Sequence, residues 1–380
     1  MARRAPRPTG AAFAVLPVAV DAMGGDKAPE EIVAGARTVA EGGEIGVVLV
    51  GLPDQLGDVG DVPVEACTEV IAMDDDPGQS VRRKKDSSLV RVAEAVRDGR
   101  AMAMVSAGNT GATMASALLR MGRLPGVIRP AIATPIPDLR KEHPTVLLDA
   151  GANAEATPQM LVQFAQMGAA YSRQRYGVAR PRVALLSIGE EKSKGTPLVK
   201  ETHGLLAEGA GDGFAFVGNV EGRDFFDDQA DVIVTDGFTG NVALKTLEGT
   251  LRFLIGALGG IFAEPDLADA SAAILPHLLP LAGRLDPEGT GGAMLLGVDG
   301  VCVISHGSSS RVAMVNAITV AHDVAVGGLV DAVAALADEQ ATDGPAHRNH
   351  QVVARQMARC RFDVREFAMT EHATGKQTEQ

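Results

Sequence analysis

An α/β fold around a mainly parallel sheet is what this sequence predicts, and three observations predict it. Short runs rich in Val, Ile, Leu and Ala alternate with longer amphipathic stretches, the pattern of repeated βα units. Most of those apolar runs end in Gly accompanied by Asn, Asp, Ser or Thr. Glycine is in excess, 44 of 380 residues against a usual share of about 7%, which calls for many tight turns or close backbone approaches.

The first strand is expected at 14–20, entering the turn "DAMGGD". The Arg-rich, briefly apolar start has the outline of a signal peptide, but its apolar run continues into that strand, so cleavage would remove a structural element. Residues 1–13 are expected to be a flexible extension. Further strands are expected at 45–50, 101–106, 145–149, 182–188, 214–217, 231–235 and 301–305, with helices between them. In 242–263, Leu244, Leu247, Leu251, Leu254, Ile255 and Leu258 recur at threes and fours, which predicts a helix with one buried face. The apolar, Pro- and Gly-punctuated segment 251–299 reads as a helical hairpin at the surface, for dimer contact, acyl-chain entry or membrane contact, with core packing as the plain alternative. A long closing helix is expected at 312–337. The catalytic unit is then 14–338, and 339–380 a linker and loosely ordered tail.

A formal net charge of −13 and a pI near 5.1 exclude nucleic acid as the main ligand, since phosphate backbones are bound by basic surfaces. Cys67, Cys302 and Cys360 stand far apart with no C-x-x-C pair, which fits a reducing cytoplasm and neither a zinc site nor a disulfide framework. No apolar stretch reaches the ~20 residues of a bilayer span. P-loop, G-x-G-x-x-G, G-x-S-x-G and H-E-x-x-H patterns are all missing, so no nucleotide cofactor, serine elbow or zincin is expected. Asp21, Asp26, Asp149, Asp231 and Asp236 stand at strand ends without forming a dense carboxylate cluster, and no metal is expected.

The strand ends carry the functional signal. "VDAMGGD" holds Asp21, Gly24 and Gly25; "VSAGNTG" holds Ser106, Gly108, Asn109 and Thr110; "LDAGAN" holds Asn153; "VTDGFTGN" holds Asp236, Gly237, Gly240 and Asn241; "ISHGSSS" holds His306 and Ser308. Ligands of open α/β sheets sit beyond the carboxyl ends of strands, so these turns are expected to line one crevice and hold an anion. Asn241 and Lys245, four apart at a helix start, share a face and can aim an amide and an ammonium at one anion. The plain alternative makes Asn241 a helix cap and Lys245 a solvated side chain. Asn109 and Thr110 pose the same choice. Gly237 and Gly240 are expected to let the backbone approach the anion, with Asp21 and Asp236 orienting donors. His306 is a candidate donor to phosphate or to a leaving sulfur, against a packed or capping role. Arg82, Arg83, Lys84 and Lys85 in "RRKKDSS" are the main basic cluster, suited to an acidic carrier protein, a phosphate or anionic lipid, or simply solvated.

In their order along the chain, "VDAMGGDKAP", "VSAGNTGATM", "LDAGANAEATPQMLVQFAQMG", "PRVALLSIGEE" with Lys194 and Gly195, "ADVIVTDGFTGNVALKTLEG" and "SHGSSS" resemble the PlsX-type phosphate acyltransferases of bacterial phospholipid synthesis. The resemblance runs from about Ala19 to about Ala337. It implies transfer of a long-chain acyl group from acyl carrier protein to inorganic phosphate, without a cofactor. It also implies a Rossmann-like α/β/α sandwich related to phosphotransacetylases and to isocitrate and isopropylmalate dehydrogenases. A homodimer, peripheral membrane contact and a downstream glycerol-3-phosphate acyltransferase as neighbour are implied as well. Lys194, otherwise a loop lysine, becomes a leading site candidate by this match. The basic-Ser-Ser theme is kept in that family without always keeping all four basic residues, and "TGGAMLLG" at 290–297 departs from relatives that carry a Tyr or Asn near this turn. A short-chain phosphotransacetylase using coenzyme A, a dehydrogenase of related fold and a non-catalytic lipid-synthesis scaffold stay open as other readings.

The chemistry suits such residues. Phosphate is nucleophilic near neutrality, and a thiol of pKa about 8.5 leaves readily. The protein must chiefly hold phosphate beside the thioester and stabilise the oxyanion, which requires donors more than acids.

Overall fold

Apolar runs of four to six residues can be buried on both sides only if helices cover both faces of the sheet they form. The computed structural model, which describes residues 16–209 and 213–342, arranges them in that way. The expected N-terminal extension, the start of the expected first strand and the tail beyond 342 lie outside the described residues.

The chain opens with β1 (Val18–Asp21), α1 (Glu30–Glu41), β2 (Val47–Gly51), β3 (Val64–Ala66), α2 (Pro77–Arg83), α3 (Ser88–Arg97), β4 (Ala103–Ser106) and α4 (Thr110–Ser116). It continues through β5 (Ala131–Ile136), β6 (Thr145–Leu148), α5 (Pro158–Tyr176), β7 (Arg182–Leu186), α6 (Pro197–Gly209), β8 (Ala215–Val220) and β9 (Val232–Val234). Then follow α7 (Gly237–Phe262), α8 (Ala268–Leu285), β10 (Ala293–Leu296), β11 (Val301–Ile304), α9 (Arg311–Val326) and α10 (Leu329–Thr342).

Among the described residues eleven strands join one sheet in the order β3-β2-β1-β4-β11-β10-β5-β6-β9-β7-β8. Alternate residues point to opposite faces. Val18, Val20, Val105, Leu148, Val183 and Val303 face the layer of α1, α5 and α9, whereas Ala19, Met104, Leu147, Ala184 and Cys302 face the other layer, formed by α3, α4 and the start of α7. This is the expected α/β/α sandwich. The strands from β3 to β11 are mutually parallel, as are β6, β9, β7 and β8. Between these groups β10 is antiparallel to β11 and to β5, and β5 is antiparallel to β6. Three reversals leave the two parallel groups running in opposite directions.

Several expectations change. β3, β5 and β10 are strands the sequence reading passed over. The closing helix is two helices, α9 and α10, bent by 54°, because Gly328 adopts a φ of +73° that an α-helix cannot contain; α10 also runs on to Thr342. The segment after 251 is no antiparallel hairpin, since α7 and α8 meet at 83°; Pro265 supplies no N–H to continue α7 and opens a tight turn over Pro265–Leu267. Nor is the expected α7 face buried throughout. Ala243, Leu244 and Leu247 pack on the core, but Leu254, Ile255 and Leu258 are about half exposed. A helix of 26 residues is roughly 39 Å long, and strands of a few residues only roughly 13 Å, so α7 overruns the sheet. No single described helix is long and apolar enough to cross a membrane.

Candidate active site

The reversal decides the geometry. The turns after β1, β4 and β11 lie at one edge of the sheet, and those after β6, β9 and β7 at the opposite edge. The strand-end residues therefore form two clusters, and the single crevice expected from sequence does not exist within one chain.

At the second edge Asp149, directly after β6, organises the turns. Its Oδ1 accepts from the backbone N–H of Ile132, Gly151 and Ala152, and its Oδ2 from the Asn153 N–H and Nδ2, at 2.8–3.1 Å. Burial pushes the Asp149 carboxyl up, against the pull of these donors. Asn153 also donates to the Pro130 carbonyl, so its amide is spent on structure. The turn from β9 into α7 packs directly on this assembly: Gly237 N–H donates to the Asn153 carbonyl at 2.8 Å. A Cβ on Gly237 would stand 2.6 Å from that oxygen, and one on Gly240 would overlap the Asp149 carbonyl oxygen. These glycines serve turn-on-turn packing, which replaces the expected role of opening the backbone to an anion.

Asp236 is the cap of α7, accepting from the Thr239 N–H at 2.9 Å and its hydroxyl at 2.8 Å. Asn241 is thus freed from capping, and its exposed amide has no partner among the described residues. One turn on, Lys245 is paired with Glu248 at 2.8 Å. β7 lies beside β9, so the loop after β7 brings Lys194 to the same edge, exposed and without a partner among the described residues. That loop is fastened from below: buried Asn219 on β8 donates to the Glu191 carbonyl at 3.0 Å and bonds His203 through its Oδ1. Ser187, which opens the loop, has a buried hydroxyl with no partner among the described residues, close beneath Gly195, whose φ is +93°. Sequence reasoning overlooked Ser187, and named Asp149 only as one strand-end acid among five.

At the first edge the residues are largely occupied with one another. Asp21 is fully buried, and burial pushes its carboxyl up; Ser106 Oγ donates to it at 2.7 Å and accepts from the Gly108 N–H. Gly24 backs onto Gly108, and Gly25 onto Ala107 and Gly307. Asn109 caps α4 through the Ala112 N–H and donates to the carbonyls of Met73 and Asp75, so capping is its observed use; Thr110 is exposed beside it. His306, exposed, accepts through Nδ1 from the Ser308 N–H at 3.2 Å and bonds Ser308 Oγ at 2.8 Å, and its Nε2 has no partner among the described residues. The segment holding Met73 and Asp75 leads through α2 to the basic cluster. Lys84 is committed to Asp75 at 2.5 Å and the Val70 carbonyl at 2.8 Å, whereas Arg82, Arg83 and Lys85 are exposed with no side-chain partner among the described residues.

No group of three or more His, Cys, Asp or Glu able to hold a metal occurs among the described residues. A cavity of about 720 Å³ opens at the amino ends of β1 and β2, but its arginines are committed, Arg37 to Asp58 and Arg100 to Glu65, so it presents no donor set for phosphate.

A family model described as fatty acid synthesis protein matches residues 16–331, nearly all of the described chain. The chain belongs to this family. A phosphate acyltransferase of Heliobacterium modesticaldum is 48% identical over 314 residues, covering 80% of this chain and 92% of the relative. One of Myxococcus xanthus is 49% identical, covering 82% and 90%. Among solved structures, a phosphotransacetylase from Streptococcus pyogenes aligns with a TM-score of 0.57 at 18% identity, over 82% of this chain and 94% of that one. The EutD phosphotransacetylase of Staphylococcus aureus aligns with a TM-score of 0.54 at 16% identity, over 82% and 95%. These structural likenesses establish the fold, and the close relatives mark the chain as an acyltransferase.

Proposed function

We propose that this acyltransferase moves a long-chain acyl group from acyl carrier protein to inorganic phosphate, for phospholipid synthesis. The observation that carries the reading is the pair of uncommitted donors, Lys194 and Asn241, on neighbouring loops of one sheet edge, in a family whose relatives are named phosphate acyltransferases. Lys194 and Asn241 hold phosphate against the thioester, with Lys245 released from Glu248 to the same anion. A phosphate oxygen attacks the carbonyl carbon, the C–S bond breaks, and the proton of hydrogen phosphate ends on the carrier thiol. Donors that meet the tetrahedral oxyanion supply the catalysis, and their removal costs about 10²–10³ in turnover in comparable sites. Neither a metal nor a cofactor is required by this chemistry.

Arg82, Arg83 and Lys85 offer the basic surface that an acidic carrier protein needs. The bare apolar length of α7 and α8 supports a homodimer, and contact with a membrane surface that would place the protein at the cytoplasmic face near a glycerol-3-phosphate acyltransferase consuming its product. The decisive assay is acyl phosphate formation, trapped as hydroxamate, from phosphate with palmitoyl carrier protein or acetyl coenzyme A. Product from the long-chain carrier substrate alone supports the reading. Product from acetyl coenzyme A alone moves the protein to short-chain transacetylation, and no product from folded protein returns the scaffold reading.

A further inference from the structure

Arg129 stands two residues before β5. Because β5 runs antiparallel to β6, its start lies at the second edge, beside the turn of Asp149 and Asn153. The backbone around Arg129 is held on both sides. Ile128 N–H donates to Gln163 Oε1 at 2.8 Å, the Pro130 carbonyl accepts from Asn153 Nδ2 at 2.8 Å, and Ile132 N–H donates to Asp149 Oδ1 at 3.0 Å. Pro130 fixes its own φ and confines the residue before it to extended backbone. Between these fixed points the guanidinium is exposed and has no partner among the described residues. Neighbouring arginines differ, since Arg123 donates to the Ile128 carbonyl and Arg120 to that of Val81.

The order of strands sets what Arg129 can meet. β5, β6, β9 and β7 are consecutive in the sheet. At about 4.8 Å per strand, Arg129 starts roughly 10 Å from the turn into α7 and roughly 14 Å from the loop of Lys194. Asn241 lies between them, and a Cβ on Gly151, after β6, would stand 3.5 Å from its Oδ1. Two long side chains reaching inward from the ends of such a gap meet over Asn241. Charge asks for the same arrangement. Lys245 is paired with Glu248, Glu190 and Glu191 stand in the loop of Lys194, and Lys192 approaches from that same loop. Arg129 brings positive charge from the opposite end, in a planar fork that matches two phosphate oxygens as an ammonium cannot.

We propose that Arg129 binds the attacking phosphate, closing on two of its oxygens from the β5 side while Lys194 and Asn241 hold it from the β7 and β9 side. The inference rests on the acyl transfer proposed above. Its place in a row of donors, away from Arg82, Arg83 and Lys85, favours the small anion over the acidic surface of a carrier protein. Asn153 then acts as a positioning residue: its amide holds the Pro130 carbonyl and its own carbonyl accepts from Gly237, so Arg129 and the turn of Asn241 keep one spacing.

The test is steady-state acyl phosphate formation with inorganic phosphate and palmitoyl carrier protein varied separately. Arg129→Met should raise the KM for phosphate at least about tenfold, which is about 1.4 kcal/mol, and leave that for the carrier substrate within about twofold. Its melting temperature should match wild type, since the guanidinium has no structural partner among the described residues. Arg129→Lys keeps the charge without the fork and should recover only part of the loss. An unchanged KM for phosphate in Arg129→Met, or a rise confined to the carrier substrate, overturns the proposal, and full recovery in Arg129→Lys refutes the two-oxygen grip. Should wild type make no acyl phosphate, the functional reading fails on its own account. Titration calorimetry with inorganic phosphate then still decides. Binding by wild type that weakens at least about tenfold in Arg129→Met supports the site, and equal affinity, or no binding by wild type, refutes it.

Discussion

Gly240→Ala tests whether the turn that carries Asn241 is held by packing. The added methyl would overlap the Asp149 carbonyl oxygen and stand 3.0 Å from its carbon and 3.1 Å from Thr235 Cγ2. The obstacle is backbone, pinned by the donors on the Asp149 carboxylate, so relief requires α7 to back away from β6 by more than an ångström. Overpacking of this kind costs about 1–3 kcal/mol, occasionally more, set against a gain of about 1 kcal/mol from replacing a helical glycine. The control is Gly204→Ala in exposed α6, where nothing lies within 4 Å and only the gain remains. Thermal unfolding should move in opposite directions: Gly204→Ala up by roughly 2–4 °C per kcal/mol, and Gly240→Ala down, with turnover lost because Asn241 moves with the turn. If Gly240→Ala melts with or above wild type and keeps its activity, the packing account of "DGFTGN" is wrong.

Lys194→Ala and Asn241→Ala should each lower turnover by about 10²–10³ with unchanged melting temperatures, since neither side chain has a structural partner among the described residues; hydroxamate trapping with parallel calorimetry checks both. Lys245→Ala should raise the KM for phosphate roughly three- to tenfold and cost no more than about 0.5 kcal/mol from its pair with Glu248; a purely thermal defect would return Lys245 to the surface. Burial pushes the Asp231 carboxyl up, but the Arg182 guanidinium, at 2.8 Å, prevails and holds it below its ordinary 3.8. That stabilisation is present above pH 3.8 and is lost as pH falls through the lower folded value. Arg182→Met should destabilise by about 1.5–3 kcal/mol at neutral pH, leaving Asp231 the residue-182 backbone N–H and Lys141 at 3.8 Å, and melting curves down to about pH 3 should show a shallower acid loss than wild type.

The strands that the sequence makes legible are those with an apolar run ending in a glycine turn: β2, β4, β6, β7, β9 and β11 all fall within or one residue beyond their expected ranges. β3 is three residues long with an exposed Val64, too short and too wet for an apolar pattern. β5 contains Pro135, which argues against an interior strand by rule. At the site, composition could nominate Asn241 but could not relieve it of capping. That needed Asp236 to be seen taking the Thr239 N–H. The same chemistry worked the other way at Asn109, whose amide and carbonyl are both consumed by the chain.

The expectation of one crevice failed for a reason that can be located. Counting strands without β5 and β10 joins β11 to β6 directly, and a doubly wound sheet then sends every glycine turn to the same edge. β5 and β10 are the two strands whose pairings are all antiparallel, so passing over them also passed over the reversal. Nothing local in "ISHGSSS" or "VTDGFTGN" records which edge it faces, because direction is set by how many antiparallel pairings lie between. With donors at both edges, the hydrogen bonds of Asp21, Ser106 and Asn109 suit a first edge kept for packing. His306 is the residue there that packing does not consume: its ring is exposed and, among the described residues, bonded only to Ser308 through Nδ1. Its substitution therefore tests that edge: turnover left intact assigns the first edge to packing, and turnover lost gives it a part in the reaction.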